Sequence, residues 1–161
     1  CPFSGKKIVL IPSANPDVVF IHAHRADKYG NTQIEGITVE DFELARSAKR
    51  LIVTVEEIVS DDFIREKPYL TTIPYYFVDA VVEVKYGSHP GNMPYRYYFD
   101  EEHIKMWLEM SKTDDGVKEY LDKYVYGVKD FSQYIELVGG EKKMKRLEAI
   151  EHLNTGTTVE E

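Results

Sequence analysis

A few short stretches of this chain carry side chains able to do chemistry. Gly87-Ser88-His89-Pro90-Gly91-Asn92 puts a hydroxyl, an imidazole and an amide in a loop pinned by glycine and proline, straight after the apolar run from Val78 to Val84. The loop reads equally as a turn and as a pocket wall, because binding groups collect on loops held by rigid strands. As a wall it would suit a carboxylate or a thioester carbonyl. His22 and His24 lie two apart on an expected strand and share a face. With His89 they could make a three-histidine metal site. No acidic or cysteine ligand completes a known spacing, so no metal is expected. The competing reading buries and satisfies His22 and starts a loop at His24. Glu56 and Glu57 end the run Leu51 to Val55, and a carboxylate there can serve as acid, base or nucleophile. Strand neighbours face opposite ways, so at most one reaches a given pocket. The other packs on a cation or caps the next helix. Asp79 interrupts an apolar run and should be held by backbone N–H groups or an arginine. Cys1 could be a terminal nucleophile; it reads instead as a processed or truncated end.

These groups need elements to position them. "KKIVLIP" and "DVVFIHAH" are short Val- and Ile-rich runs separated by Ser13-Ala14-Asn15-Pro16, and both read as buried strands. "KYGNTQIEG" adds a short strand framed by Gly30 and Gly36. In "TVEDFELARSAKR", Thr38 and Asp41 form a capping signal, and Phe42, Ala45 and Ala48 share a helical face. "LIVTV" is the next strand, and Ser60 caps a short helix that Pro68 stops. "IPYYFVDAVVEV" returns to strand. From Asp100 onward the spacing turns helical: Ile104, Trp107, Leu108 and Ser111; Val117, Tyr120, Leu121, Tyr124 and Val125; Phe131, Tyr134, Ile135 and Val138; then Met144, Leu147 and Ile150. The fold class is therefore α/β, a largely parallel sheet flanked by helices, with a helical C-terminal cap. Ligands of such sheets gather beyond the carboxyl ends of the strands, where three of the polar clusters fall. Residues 1–151 should form the ordered domain, and 152–161 should fray.

Composition narrows the function. Of the 161 residues, 43% are hydrophobic and 30% charged, ordinary for a soluble domain. No apolar run is long enough to span a membrane, and no secretory signal opens the chain. The single cysteine allows no internal disulfide, which suits the cytoplasm. A net charge of −8 argues against a nucleic-acid surface and against this segment alone holding a polyphosphate.

In order, "PFSGKKIVLIPSANPDVVFIHAHRADKYGNTQIEG", "LARSAKRLIVTVEEIV" and "VDAVVEVKYGSHPGN" resemble the A-type subunit of glutaconate CoA-transferase and its relatives among the class I CoA-transferases. The likeness runs from Cys1 to about Val138 and covers the C-terminal half of that subunit, so the chain is expected to be a piece of a longer one. The resemblance implies the CoA-transferase/NagB-like fold and an active site shared between two kinds of subunit. It also implies a covalent mechanism in which the nucleophile is a glutamate of the B-type subunit, directed at an acyl-CoA thioester. No catalytic residue is then expected in this chain, and no bound cofactor; the coenzyme A thioester is the substrate. The partners implied are the B-type subunit, the N-terminal half of the A-type subunit, an acyl-CoA of glutaconyl type and a carboxylic acid. Matched residue by residue, the substrate-binding positions are Asn31 of the Gly30-Asn31 turn, Gln33 in the strand after it, Glu57 of "VEEIV", and Ser88, His89 and Asn92 of the loop. The family usually has Ile-Pro-Gly where this chain has Ile73-Pro74-Tyr75, which points to altered acyl specificity or a different reaction. On the same scaffold, relatives hydrolyse ring-opened steroid acyl-CoA compounds or decarboxylate glutaconyl-CoA. A non-catalytic small-molecule-binding module is the remaining alternative.

Overall fold

A computed structural model describes residues 1–153; most of the expected frayed tail, from 154 on, lies outside the described residues. Five strands form one sheet in the order β4-β2-β1-β3-β5. They are β1 (Val19–Asp27), β2 (Thr32–Gln33), β3 (Leu51–Val59), β4 (Thr71–Ile73) and β5 (Ala80–Glu83). The pairs β1–β3 and β3–β5 are parallel, while β2 and β4 add an antiparallel edge. Helix α1 (Asp41–Ser47) lies between β2 and β3 in the chain, and α2 (Asp61–Glu66) follows β3. Both touch β1.

Alternation along the strands sorts the side chains. Val19, Ile21 and Ala23 of β1 and Leu51, Val53 and Val55 of β3 are buried together with Ala45 of α1 and Ile73 of β4. The intervening residues face the other way. There the aligned row Phe20–Ile52–Ala80 is poorly covered, with Phe20 68% exposed, and Val82 in the next row is also exposed. One face of the sheet is closed and the opposite face is partly bare.

From Tyr86 on the chain builds the cap: α3 (Glu101–Met110), α4 (Asp114–Leu121), a π-helical turn (Asp122–Tyr126), α5 (Phe131–Leu137) and α6 (Gly140–Glu151). Its core is a second cluster, Met93, Tyr97, Tyr124, Tyr134, Val138, Met144 and Leu147. Asp100, Thr113 and Asp130 cap α3, α4 and α5 by accepting from the N–H groups of His103, Gly116 and Gln133. Among the described residues no helix is long and apolar enough to cross a membrane.

Several local expectations need correction. "KKIVLIP" is not a strand: Val9, Leu10 and Ile11 are all more than 80% exposed, and no described strand lies alongside to pair with them. β propensity alone leaves backbone and side chains uncovered there. β3 runs on to Val59, so Glu56 and Glu57 lie within the strand instead of ending it. The run from Ile73 breaks at Pro74 into β4, a 3₁₀ turn at Tyr75–Phe77 and β5, and Asp79, just ahead of β5, accepts from the Leu51 N–H at 2.9 Å and from Arg50 at 2.7 Å. The Thr38 cap does not form; Asp41 accepts from the Val39 N–H instead. The Ser60 cap does form, accepting from the Phe63 N–H at 3.2 Å.

Candidate functional site

Two turns meet the sheet at the carboxyl ends of its parallel strands. After β1, Asp27 gathers the chain: its Oδ1 accepts from the N–H groups of Tyr29, Gly30 and Asn31, each at 2.9 Å, and its Oδ2 accepts from the Asn31 amide at 2.7 Å. Gly30 has φ +105°, and a Cβ there would lie 2.8 Å from Val78, so only glycine fits. The side-chain carbonyl of Asn31 accepts from the Tyr75 N–H at 3.2 Å. Tyr75 opens an ordinary 3₁₀ turn with its ring largely in solvent, so the turn there accommodates a tyrosine.

After β5 comes the loop 87–92, and its anchor is Glu56. The carboxylate is 6% exposed. Its Oε1 accepts from His22 Nε2–H and from the Tyr97 hydroxyl, both at 2.7 Å, and its Oε2 accepts from the Tyr86 N–H at 2.8 Å. Burial pushes the Glu56 carboxyl up, but these hydrogen bonds outweigh it and hold the group below the usual glutamate value. His22 Nδ1 takes the Thr54 hydroxyl at 2.8 Å, completing a Thr54–His22–Glu56 chain. The other end of the tether is the loop. Tyr86 sits at φ +66°, a left-handed conformation that is costly for a tyrosine, and its bond to Glu56 helps hold it there. Gly87 packs on the His22 ring so closely that a Cβ would lie 2.5 Å from Cε1. The Tyr97 hydroxyl accepts from the Ser88 N–H at 3.0 Å, while its own proton goes to Glu56; burial, then the neighbouring carboxylate, raises that phenol far above its usual value.

His89 belongs to a second, deeper network. Its side chain is fully buried, with Nδ1 2.7 Å from the Tyr134 hydroxyl and Nε2 3.1 Å from Asp100 Oδ2. Asp100 also receives Lys143 at 2.6 Å and the His103 N–H. Burial holds His89 below the ordinary histidine value despite the nearby carboxylate, so the ring is neutral near pH 7. Burial pushes the Asp100 carboxyl up, and the bonds from Lys143, the His103 N–H and His89 bring it below its usual value.

The expected site residues separate on this scaffold. Ser88, His89 and Asn92 share the loop, but only Ser88, whose hydroxyl finds Met93 Sδ at 3.6 Å, and the exposed Asn92 have polar groups left to offer. Both His89 nitrogens are taken. Asn31 is tied to Asp27. Gln33 does not reach the loop: it is buried on β2 and donates to the Lys67 carbonyl at 3.4 Å. Glu57 faces away from Glu56 and lies half-exposed, 3.7 Å from Arg96. His24 is interior to β1, not at a loop, with Nε2 on the Pro94 carbonyl and Nδ1 accepting from the Glu35 N–H. Among the described residues no three potential ligands cluster to hold a metal. Tyr97, Asp100 and Tyr134 organise the loop, and none of them is among the residues the sequence marks for the site. Asp100 with a helical run starting behind it is a legible cap, and Tyr134 is legible only as one position of a helical stripe; Tyr97 carries no spacing signal.

A mostly parallel sheet with a tethered Gly-Ser-His-Pro-Gly loop and a tyrosine-rich cap has close counterparts among known proteins. The Coenzyme A transferase family profile matches residues 2–84, just over half of the chain. The chain belongs to the Coenzyme A transferase family. It is 62% identical over 94% of its length to an uncharacterized protein of Archaeoglobus fulgidus, covering 34% of that relative. It is 37% identical over 86% of its length to the A-type subunit of glutaconate CoA-transferase of Acidaminococcus fermentans, covering 43% of it. The crystal structure of the A. fermentans glutaconate coenzyme A-transferase superposes on 91% of this chain with a TM-score of 0.86 and 36% identity, and the match spans 46% of that chain. The chain therefore spans less than half the length of these relatives.

Proposed function

We propose that this chain is part of the A-type subunit of a heteromeric CoA-transferase, moving CoA between a dicarboxylic acyl-CoA of glutaconyl type and a carboxylic acid. What carries the reading is the likeness to glutaconate CoA-transferase along nearly the whole chain, cap included. The bare sheet face around Phe20 and Val82 supports a further covering piece, the N-terminal half of the same subunit. The saturation of Glu56 supports a nucleophile located elsewhere: a buried carboxylate with three donors on it is a poor attacking group.

In this reading a glutamate of the partner, the B-type subunit, makes the attack on the thioester carbonyl and expels CoA thiolate, leaving a mixed anhydride. The thiolate attacks the glutamyl carbonyl, the first acid departs as its carboxylate, and a glutamyl-CoA thioester remains. The acceptor carboxylate attacks that thioester, CoA thiolate leaves, and the thiolate then takes the new acyl group from the second anhydride, restoring the glutamate. Ser88 and Asn92 supply the wall for the acyl group, with Asn31 and Glu57 at the rim of the same sheet end. His89 acts from behind it by tying the loop to the Tyr134 hydroxyl and the Asp100 carboxylate, and Gln33 by holding the Lys67 carbonyl. The full-length A-type subunit together with its B-type partner, incubated with glutaryl-CoA and then borohydride, tests this. Reduction should convert a glutamate of the B-type partner to the alcohol, read by peptide mass. Modification of Glu56 or Glu57 instead, or release of CoA without an acceptor acid, would overturn it.

A further inference from the structure

Behind His89 and Pro90 a cavity of about 500 Å3 opens between the π-helical turn and α5, outside the tethered loop's outer surface. That volume lies in the range of small-molecule sites. Its walls are rings. Tyr120 and Tyr124 form one tilted pair at 4.8 Å, and Phe131 and Tyr134 another at 5.4 Å. The tyrosine hydroxyls are all engaged inside the cap. Tyr134 meets His89, Tyr120 meets His103 at 2.8 Å, and Tyr124 reaches Met106 Sδ at 3.5 Å. The phenol oxygens are thus spent inward, and the cavity is left with carbon and π surface.

The mouth carries one charged group of each sign, Lys129 and Asp130. Lys129 lines the opening; Lys123 is not in the lining but lies next to it, its ammonium 4.9 Å from the centre of the Tyr124 ring. Neither lysine has an ion-pair partner among the described residues. Asp130 turns one carboxylate oxygen to the Gln133 N–H at 2.9 Å as the cap of α5, which directs it toward the helix end, whereas Lys129 is free to turn to a ligand. The wall at Tyr124 is built by a π-helical turn, a local irregularity of the kind that collects at functional positions.

We propose that this cavity binds a flat aromatic ring carrying an anionic tail, the ring between the two aromatic pairs and the tail at Lys129. This chemistry has two sources, an aryl carboxylic acid or an adenine nucleotide. The proposal does not depend on the transferase reading, because the cavity lies wholly within this chain.

The chain carries its own reporter: Trp107, its single tryptophan, has its ring 4.5 Å from that of Tyr120. The chain is titrated with phenylacetate and separately with AMP while Trp107 emission is followed. Cyclohexylacetate, with the charge but no flat ring, is the control. A saturable change with phenylacetate alone identifies an aryl acid, with AMP alone a nucleotide, and with both the shared chemistry. Cyclohexylacetate should bind about tenfold more weakly than the aromatic ligand. Lys129→Met should weaken binding about fivefold. Val125→Phe, at an exposed edge of the cavity, should fill it and abolish the response while circular dichroism stays unchanged. No saturable response to either ligand, an equal response to cyclohexylacetate, or normal binding by the folded Val125→Phe chain would overturn the proposal.

Discussion

In the sheet, β1 and β3 alternate between a closed apolar face and one left partly bare; in the cap, Tyr86 to Leu153 wrap around buried polar groups that satisfy one another. Phe20 on the bare face is 68% exposed, whereas Asp100 at the cap's centre is 1% exposed and bonded to a histidine, a lysine and a backbone N–H. The sheet half leaves apolar area open on one face, which the proposed N-terminal piece would cover. The cap depends on directed bonds already made within the chain. Substitutions should separate the two regimes.

The largest effect is expected at Asp100. Asp100→Ala leaves the fully buried His89 without its partner and takes from Lys143 its shorter ion pair, and should cost about 3 kcal/mol, measured by urea unfolding of the chain. Glu56→Gln comes next, because an amide offers one acceptor oxygen where the carboxylate served three donors. About 2 kcal/mol is expected, with Tyr86 released from its left-handed conformation. Gly87→Ala must move the His22 ring and should cost about 1–2 kcal/mol. A loss below a few tenths at Glu56 would break the picture of a tethered loop. On the bare face the sign of the contrast reverses. Phe20→Ser should change the stability of this chain by less than about 0.5 kcal/mol. In the assembled enzyme it should cost about 2 kcal/mol, because the phenyl ring is then covered.

Acid should act on both regimes. His24, His89 and His103 are held below the ordinary histidine value, chiefly by burial. For such a group the unfolded chain takes up the proton first. Its stabilisation is complete above about pH 6.5 and is lost as pH falls from there toward the folded-state value. Glu56 and Asp100, held below the carboxylate range, add a second loss at lower pH. Two of the three histidines lie in the cap, so Trp107 emission should change before the far-ultraviolet signal of the sheet. Constant stability from neutral pH to about pH 5 would contradict neutral, buried histidines.

The same contrast governs what could be read from the sequence. β1, β3 and the cap helices were legible because period-two and helical spacings are local and strong. The segment Lys6 to Pro12 misled because its Val and Ile residues describe a preference for strand, while pairing needs a neighbour. The site was legible as a place, at the strand ends, but not as a circuit. His22, Glu56 and Tyr97 lie far apart in the chain and meet only through the parallel register of β1 and β3 and the return of the cap. No spacing could choose Glu56 over Glu57; the strand's alternation decides it, once the partner on each face is known.

The central claim is that the chain holds the wall and borrows the nucleophile. The most direct measurement uses an acceptor carboxylic acid labelled with heavy oxygen in both carboxyl positions, turned over by the full-length A-type subunit together with its B-type partner. The anhydride route leaves a heavy oxygen atom in the attacking carboxylate, and peptide mass should find it in a glutamate of the B-type partner and nowhere in this chain. Label in Glu56, in Glu57 or in any other carboxylate of this chain would contradict the account.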